Sequence, residues 1–265
     1  MRAEGYNPAP MTEDVQTPRA AVDLAEPLLV QVAALGDDYD AWVHDSIGPT
    51  TAQQTMQAKV DAGDPIAARW PQSLRIFKNT WLEGQSHISW KLIPTIWLPI
   101  VAALAFLAAA PLGLGWTTVP VFVLGVFAWT LLEYVLHRFV FHYKPKSAFG
   151  RKVHFLAHGI HHLDPWDPTR LVFPPLAGLG LAGLIYLGLW LALPVALATA
   201  LMSGILLGYI VYDLSHYYTH HAKPASRWGK FLKAWHLAHH HKFWERLYGV
   251  SSPLWDYVFR TGKPS

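Results

Sequence analysis

Two long stretches of this chain contain no Asp, Glu, Lys or Arg, and they limit its fold more than any other feature. They run from Leu92 to Leu132 and from Leu171 to Tyr212. One membrane crossing needs roughly 20 apolar residues, so each stretch is long enough for two crossings. Two buried core helices of a soluble protein are the alternative, but uncharged runs of this length disfavour it. We therefore predict an all-α integral membrane protein.

A turn divides each apolar stretch into two crossings. The segment from Pro111 to Gly115 breaks the first stretch and Pro194 marks the middle of the second, because proline and glycine interrupt helices. The chain then has four transmembrane helices in two hairpins, expected at about 92–110, 117–136, 172–191 and 195–212. These four apolar crossings belong to a domain over residues 92–265.

The first 91 residues are expected to lie outside the bilayer. Residues 1–25 are rich in Pro, Asp, Glu, Thr and Ala, which is typical of a flexible tail. Residues 26–91 form a cytosolic or interfacial segment, in which Trp70, Trp81 and Trp90 alternate with basic residues. Such a mixture suits either a segment at the lipid headgroups or a loop that covers the cytosolic domain. The first apolar run begins too far along the chain for a cleavable signal peptide.

The distribution of positive charge predicts the orientation in the membrane. The turns inside the two hairpins carry no Lys or Arg, whereas residues 138–170 and 223–263 carry most of the basic residues. The positive-inside rule therefore places these two segments and the N-terminus in the cytoplasm. The net charge of +3 is too small to suggest a nucleic-acid partner.

Thirteen of the fifteen histidines lie in four clusters that follow the second and fourth crossings. Neutral imidazole binds Fe, Zn, Cu and Ni, and a helix presents two rings to one ion when they are three or four residues apart. The chain has no cysteine, so imidazole and carboxylate groups must supply the ligands. Ten candidate ligands exceed what one ion binds, so two metals are implied. The ten candidates are His137, His142, His158, His161, His162, His216, His220, His236, His239 and His240.

The remaining histidines fit this spacing less well. His137 and His142 are five residues apart, roughly 140° around an ideal α-helix, so they serve different ions or sit at a helix end. The same separation weighs against His221 and His241. His154 is a borderline ligand candidate, and His44 and His87 are isolated histidines of the kind that usually form ordinary hydrogen bonds.

Three carboxylates are placed to support the histidines. Histidines that bind a metal generally donate their second N–H to a carboxylate or a carbonyl group. Glu133 precedes His137 by four residues, Asp213 precedes His216 by three, and Asp167 follows the second cluster. We expect these three side chains to surround the ligands, with ordinary solvation at the membrane boundary as the alternative.

Several chemistries use histidine-bound metals, and the sequence favours one. A metal transporter would place polar ligands near the bilayer midplane, whereas these histidines lie beyond the ends of the apolar spans. Zinc hydrolases usually need a carboxylate base, and structural zinc has four closed ligands. A redox pair of irons that activates O2 beside an apolar pocket fits better, because such a pocket excludes water from the oxidising species.

The motifs resemble those of the membrane fatty acid hydroxylase and sterol desaturase superfamily, and within it the fatty acid 2-hydroxylases. The similarity covers roughly residues 27–262 and rests on segments 133–142, 158–167, 170–175, 212–217 and 249–257, with Tyr39 to His44 before the membrane. The resemblance implies a four-helix membrane base capped by a cytosolic helical, histidine-rich domain that holds a dimetal site on the ten histidines. A carotenoid or sterol oxygenase of the same superfamily is the alternative, and the VSSPLWDY segment favours the acyl hydroxylase.

The resemblance also implies the reaction and its partners. The enzyme would hydroxylate C2 of a long-chain fatty acid, free or within a ceramide-like lipid, with O2 as co-substrate. Two Fe ions would form the active centre, and Zn can replace them in purified protein. No haem-binding His-Pro-Gly-Gly motif occurs in the sequence, so a separate cytochrome b5, ferredoxin or reductase would donate electrons. We expect a multi-pass protein of a bacterial inner membrane, otherwise of the ER, with its active site on the cytoplasmic face.

Overall fold

A computed structural model describes residues 22–113 and 115–264 of the chain. Within these residues every regular element is helical, which confirms the all-α prediction. The flexible tail expected over residues 1–25 lies almost wholly outside the described residues. The α-helices are Leu28–Gln31 (α1), Tyr39–His44 (α2), Pro49–Asp61 (α3), Pro65–Arg69 (α4), Thr80–Gln85 (α5), Leu92–Leu112 (α6), Thr118–Val135 (α7), Ala148–His154 (α8), Ile160–Leu163 (α9), Pro175–Ala192 (α10), Val195–His221 (α11), Arg227–His241 (α12) and Leu254–Val258 (α13).

Four of these helices are long and apolar enough to cross a membrane, as the two hairpins require. They are α6, α7, α10 and α11, and α7 continues without a break into a π-helix over Leu136–Phe141. The helix α10 begins at Pro175, not at 172, because Pro174 and Pro175 favour a helix start. The helix α11 extends to His221, well beyond the predicted limit at 212, because no helix-breaking residue occurs before Lys223-Pro224.

The helix α11 is the centre of the membrane base. It packs against α6 and α7 along its length, and glycines allow the close approach. A Cβ atom on Gly204 would overlap the Phe122 carbonyl oxygen, and one on Gly125 would overlap the Leu201 carbonyl oxygen. Ser203 Oγ also donates to the Val101 carbonyl at 2.9 Å. By contrast α10 lies at the edge of the bundle, and most of its side chains face outward.

The segment before the membrane forms a covering layer on the histidine-bearing segments. Tyr39, Trp42 and Leu74 are fully buried, and they pack in one apolar core with Phe155 and Leu163 from the second histidine segment. The covering interpretation is therefore correct for this part of the segment. Trp81 is 70% exposed on α5 and remains available for the headgroup region.

A buried ion pair joins this layer to the chain that enters α10. Arg170 pairs with Glu83, and both side chains are almost inaccessible to solvent. Arg170 also donates to the Leu74 carbonyl and to Ser86 Oγ, and Glu83 accepts hydrogen bonds from the Ile76 and Phe77 amides. With these bonds made, both charges are compensated inside the protein.

We expect Gly204→Val to destabilise the membrane base. The new side chain would meet backbone atoms of α7 that cannot move aside, and overpacking of this kind costs about 1–3 kcal/mol. Gly183→Val on α10 is the matched control, because a Cβ atom there meets nothing within 4 Å. Thermal unfolding in detergent should show a lower melting temperature for Gly204→Val alone. An equal decrease of the melting temperature in both variants would contradict the role of the α7–α11 contact.

Candidate metal centre

The structure gathers the ten candidate histidines into two groups of five. Cluster 1 contains His137, His142, His158, His162 and His239; cluster 2 contains His161, His216, His220, His236 and His240. In each cluster the five potential ligand atoms lie within 4.8 Å of one another, and all ten residues are buried. The two clusters are adjacent, since the rings of His162 and His240 stack at 4.3 Å.

A π-helix explains how His137 and His142 reach the same cluster. The His142 amide donates to the His137 carbonyl at 3.1 Å, which is the i to i+5 bond of a π-turn. The wider turn of a π-helix brings residues five apart close to one face, so the two rings reach the same cluster. The expectation that they serve different ions is wrong, and the alternative, that they sit at a helix end, is correct: His142 ends the π-helix.

Neighbouring residues of the other segments divide between the clusters. His161 and His162 are consecutive, and a helix turns by about 100° per residue, so their rings point towards different clusters. His239 and His240 divide in the same way on α12, where His236 joins His240 one turn away. Each HX2HH segment thus contributes histidines to both clusters. The spacing of the histidines along the sequence did not predict this division.

Backbone carbonyl groups fix the orientation of two rings in cluster 1. His137 Nδ1 lies 2.5 Å from the Tyr248 carbonyl, and His239 Nδ1 lies 2.6 Å from the Arg246 carbonyl. A carbonyl only accepts, so these nitrogens carry the proton and each Nε2 carries a lone pair. Those lone pairs point at other imidazoles, at 3.2 Å for His137 to His158 and 3.0 Å for His239 to His142.

The spacing of the nitrogens fits a bound cation. A metal–nitrogen bond of about 2.0–2.1 Å places neighbouring ligand atoms about 3 Å apart, and the Nε2 atoms of His220, His236 and His240 are separated by 2.8 and 3.1 Å. No carboxylate belongs to either cluster. Burial also lowers the ring pKa well below its usual value at seven of these histidines, all outside the membrane helices, and this keeps each imidazole in the neutral form that binds metals. The seven are His142, His158, His161, His162, His236, His239 and His240.

The three predicted carboxylates do not contact the histidines directly. Glu133 accepts hydrogen bonds from the Val250 and Ser251 amides at 2.7 and 2.9 Å, so it orders the loop that supplies the Tyr248 carbonyl to His137. Asp213 accepts from the Tyr209 hydroxyl and the Phe173 amide. Asp167 accepts from Thr169 and lies 3.7 Å from Arg170. The expected direct pairing is corrected: the carboxylates accept from amide, hydroxyl and guanidinium donors, and backbone carbonyls orient two of the ten rings, His137 and His239.

The other histidines lie outside both clusters. His154 Nδ1 is 2.7 Å from the Tyr39 hydroxyl, and His241 Nδ1 is 3.0 Å from Ser46 Oγ. His221 packs on Tyr217, and His87 hydrogen-bonds Thr169 Oγ1 at 2.7 Å. His44 is buried and forms a wall of cluster 1, where its ring stacks on Trp244 at 3.9 Å.

Two cavities lie beside the clusters. One cavity, of about 260 Å³, has mostly apolar walls but also contains His158 of cluster 1, His161 and His216 of cluster 2, Arg170 and Asp213, and we call it the polar cavity for these residues. Both clusters are accessible from it. The apolar cavity lies among the membrane helices and is lined by residues such as Trp97, Trp129, Gly178 and Ile205. Phe141, Phe173 and Tyr212 line both cavities and form their common boundary.

Sequence reasoning missed the groups that orient these elements. The carbonyls of Tyr248 and Arg246 leave no signature in a sequence, because every residue has a carbonyl group. The Arg170–Glu83 pair joins residues far apart along the chain, and the stacking of His44 on Trp244 does so as well. Only the Tyr39 to His44 motif hinted that the first segment reaches the clusters.

Comparisons with known proteins agree with this geometry. The fatty acid hydroxylase family model matches residues 122–261. The chain is 40% identical over 249 residues to dihydroceramide fatty acyl 2-hydroxylase FAH2 of Arabidopsis thaliana, covering 92% of this chain and 94% of that protein. It is 36% identical to the human fatty acid 2-hydroxylase, covering 92% of this chain and 65% of that protein. The solved structure of full-length Scs7p, in which only the hydroxylase domain is visible, is similar with a TM-score of 0.78 and 34% identity, over 92% of this chain and 86% of that one.

We expect the two clusters to lose metal independently. His162→Ala should impair cluster 1 and His236→Ala cluster 2, so each variant should keep about one ion of two after dialysis against a chelator. His154→Ala and His241→Ala are the controls, because neither ring belongs to a cluster, and both should keep both ions. Elemental analysis of purified protein measures this; loss of an ion from the His154→Ala protein would contradict the ligand assignment.

Proposed function

Because the chain belongs to the fatty acid hydroxylase family, we propose that it hydroxylates C2 of the long acyl chain of a ceramide-like membrane lipid. The observation that carries this proposal is the arrangement of the two cavities. The polar cavity is lined by histidines of both clusters, and the apolar cavity, of about 40 Å³, lies in the membrane base and shares Phe141, Phe173 and Tyr212 with it. The names of the relatives favour an acyl substrate over a sterol or a carotenoid.

The position of C2 in the substrate matches this arrangement. C2 is the carbon next to the acyl carbonyl, so it lies between the polar end of the lipid and its hydrocarbon chain. With the chain in the apolar cavity and the polar end in the other, C2 lies near Phe141 and Phe173, at the boundary beside His158. The aromatic side chains there would hold the first methylenes and exclude water from the reacting carbon.

The charges in the polar cavity favour an amide over a free acid. Arg170 is the cation of its lining, and its guanidinium is already paired with Glu83 and bonded to Ser86. Asp213 lines the same cavity. Apart from the metal ions, a substrate carboxylate would therefore find no free positive side chain among the described lining residues and would face another carboxyl group, and burial of an unpaired charge is costly. A neutral N-acyl amide avoids both costs.

We assign the two clusters to two iron ions. Bound there, iron would supply the redox chemistry by which O2 and two electrons, with two protons, place a hydroxyl group on the substrate and release water. The protein's own part is to keep five neutral imidazoles around each ion, so that the positive charge of the metal is not cancelled by carboxylates. A separate redox protein would supply the electrons.

The clusters would face the cytoplasm. The histidine-bearing ends of α7 and α11 lie on the same side as the segments rich in Lys and Arg, and the opposite turns carry none of these residues. This distribution supports a cytoplasmic active site by the positive-inside rule. The electron donor would then dock from the cytoplasm.

We expect a host that makes this protein to gain 2-hydroxyacyl ceramides or related lipids. His158→Ala and His240→Ala should abolish the product, because each removes a member of one cluster, whereas His241→Ala, whose ring lies outside both clusters, should retain it. Mass spectrometry of total lipids, with separate analysis of free acids and amide-linked chains, measures the outcome. Hydroxylated free acids without hydroxylated amides would overturn the amide assignment, and unchanged product from both alanine variants would overturn the function.

We expect Gly178→Leu to shorten the acyl chains that are accepted. Gly178 lines the apolar cavity, and a Cβ atom there already lies 3.0 Å from Trp97 Cζ2, so a larger side chain must project into the cavity. Gly180→Leu is the matched control on the same helix, because its position is open. The chain-length distribution of the 2-hydroxy products should shift in the first variant alone; an unshifted distribution would exclude this cavity as the acyl site.

A further inference from the structure

A second concave surface lies at the C-terminal end of the chain, apart from both histidine clusters. It has a volume of about 670 Å³, and its walls include Phe231, Trp235 and Tyr257. Three basic residues, Arg246, Arg260 and Lys263, also line it. This volume is in the range of small-molecule sites. Neither the membrane crossings nor the proposed reaction uses the side chains of these residues.

The three cations have no acidic partner among the residues that the structure describes. Arg246 donates to the Arg260 and Gly262 carbonyls at 3.4 and 3.2 Å, and Lys263 Nζ lies 5.8 Å from the centre of the Trp235 ring. Asp256 also lines the surface, but it is fully buried and its oxygens accept from the Tyr248 and Gly249 amides and from Thr261 Oγ1. The positive charge of this surface is therefore uncompensated.

The helix α13 fixes the depth of this surface relative to the membrane. Trp255 Nε1 donates to Thr130 Oγ1 at 2.9 Å, and its ring lies 5.9 Å from Phe127, within the span of α7. Farther along, Phe259 stacks on Tyr134 at 5.2 Å, one turn before His137 at the end of the crossing. The chain thus rises from the apolar region to the boundary, and Arg260 follows at the level of the headgroups.

The outer surface of α13 suits an interface with lipid. Leu254, Tyr257, Val258 and Phe259 are each 40–63% exposed, an apolar patch that directly precedes the cations. Apolar and aromatic side chains next to Lys and Arg are typical of segments that lie at the membrane surface. Arg260 adopts a φ of 57°, a left-handed conformation that costs an arginine more than a glycine.

We propose that this surface binds the phosphate headgroup of an anionic phospholipid in the leaflet on the histidine-bearing side. The three cations would contact the phosphate, and the aromatic walls would face the ester region of the lipid. The bound lipid would also stabilise cluster 1, because Arg246 offers its guanidinium to the surface and its carbonyl to His239 Nδ1. A lipid that binds only the folded protein raises its melting temperature.

Native mass spectrometry and thermal unfolding of the full chain in detergent, with added phosphatidylglycerol or phosphatidylcholine, test the proposal. We expect phosphatidylglycerol to bind more tightly and to raise the melting temperature more. Arg260→Gln should weaken its binding by about fivefold, the effect of one basic residue at a membrane surface, and Arg260→Lys should restore it. Lys242→Gln is the control, because Lys242 is a cation at the end of α12 that does not line the surface.

Arg260→Gly separates the charge from the fold. It relieves the positive φ, so the variant should be at least as stable as the parent without lipid and yet bind phosphatidylglycerol as weakly as Arg260→Gln. Equal binding of the two phospholipids would overturn the proposal. It would also be overturned if Lys242→Gln weakened phosphatidylglycerol binding as much as Arg260→Gln does. Displacement of the lipid by millimolar inorganic phosphate would also overturn it, since the surface would then be a site for small anions.

Discussion

The rest of the structure depends on the convergence of ten buried imidazoles in two clusters that include no carboxylate among the described residues. Where the protons can be assigned, on His137 and His239, the lone pair of Nε2 points at another ring about 3 Å away. Two lone pairs facing each other at this distance would repel unless a proton or a metal cation lay between them. Three chain segments must therefore be held firmly around each cluster, and the π-turns, the covering layer and the C-terminal loop all serve this requirement.

The C-terminal loop holds the ligands by an indirect route. Its carbonyl groups accept the imidazole protons, and the loop itself is fixed by two buried carboxylates: Glu133 binds the amides of Val250 and Ser251, and Asp256 binds those of Tyr248 and Gly249. The carboxylates thus act one step away from the histidines. This arrangement orients the rings without adding negative charge next to the metals, which would lower the oxidising power of the centre.

Sequence patterns predicted the parts of this molecule that depend on local chemistry. The absence of charge over two long runs sufficed for the four crossings, and helical spacing selected eight of the ten histidines that the structure gathers. It did not divide His161 from His162 between the clusters, and it misjudged His137 and His142, because a π-turn changes the number of residues per turn and has no clear sequence signature. The hydrogen-bond partners of Glu133 and Asp213 were also missed, since these partners are backbone amides and hydroxyl groups that the sequence does not mark.

The helix α11 connects the chemistry rigidly to the bilayer. One uninterrupted helix carries apolar residues from Val195, the cavity-lining Ile205 and Tyr212, and then His216 and His220 of cluster 2. The distance between the apolar cavity and the histidines of cluster 2 is therefore set by helix geometry and not by a flexible linker. A lipid can keep its hydrocarbon chain at membrane depth while the carbon beside its carbonyl reaches the histidines. Selectivity for the position next to the carbonyl then follows from where the apolar cavity ends, because only the first methylenes lie at its boundary with the polar one.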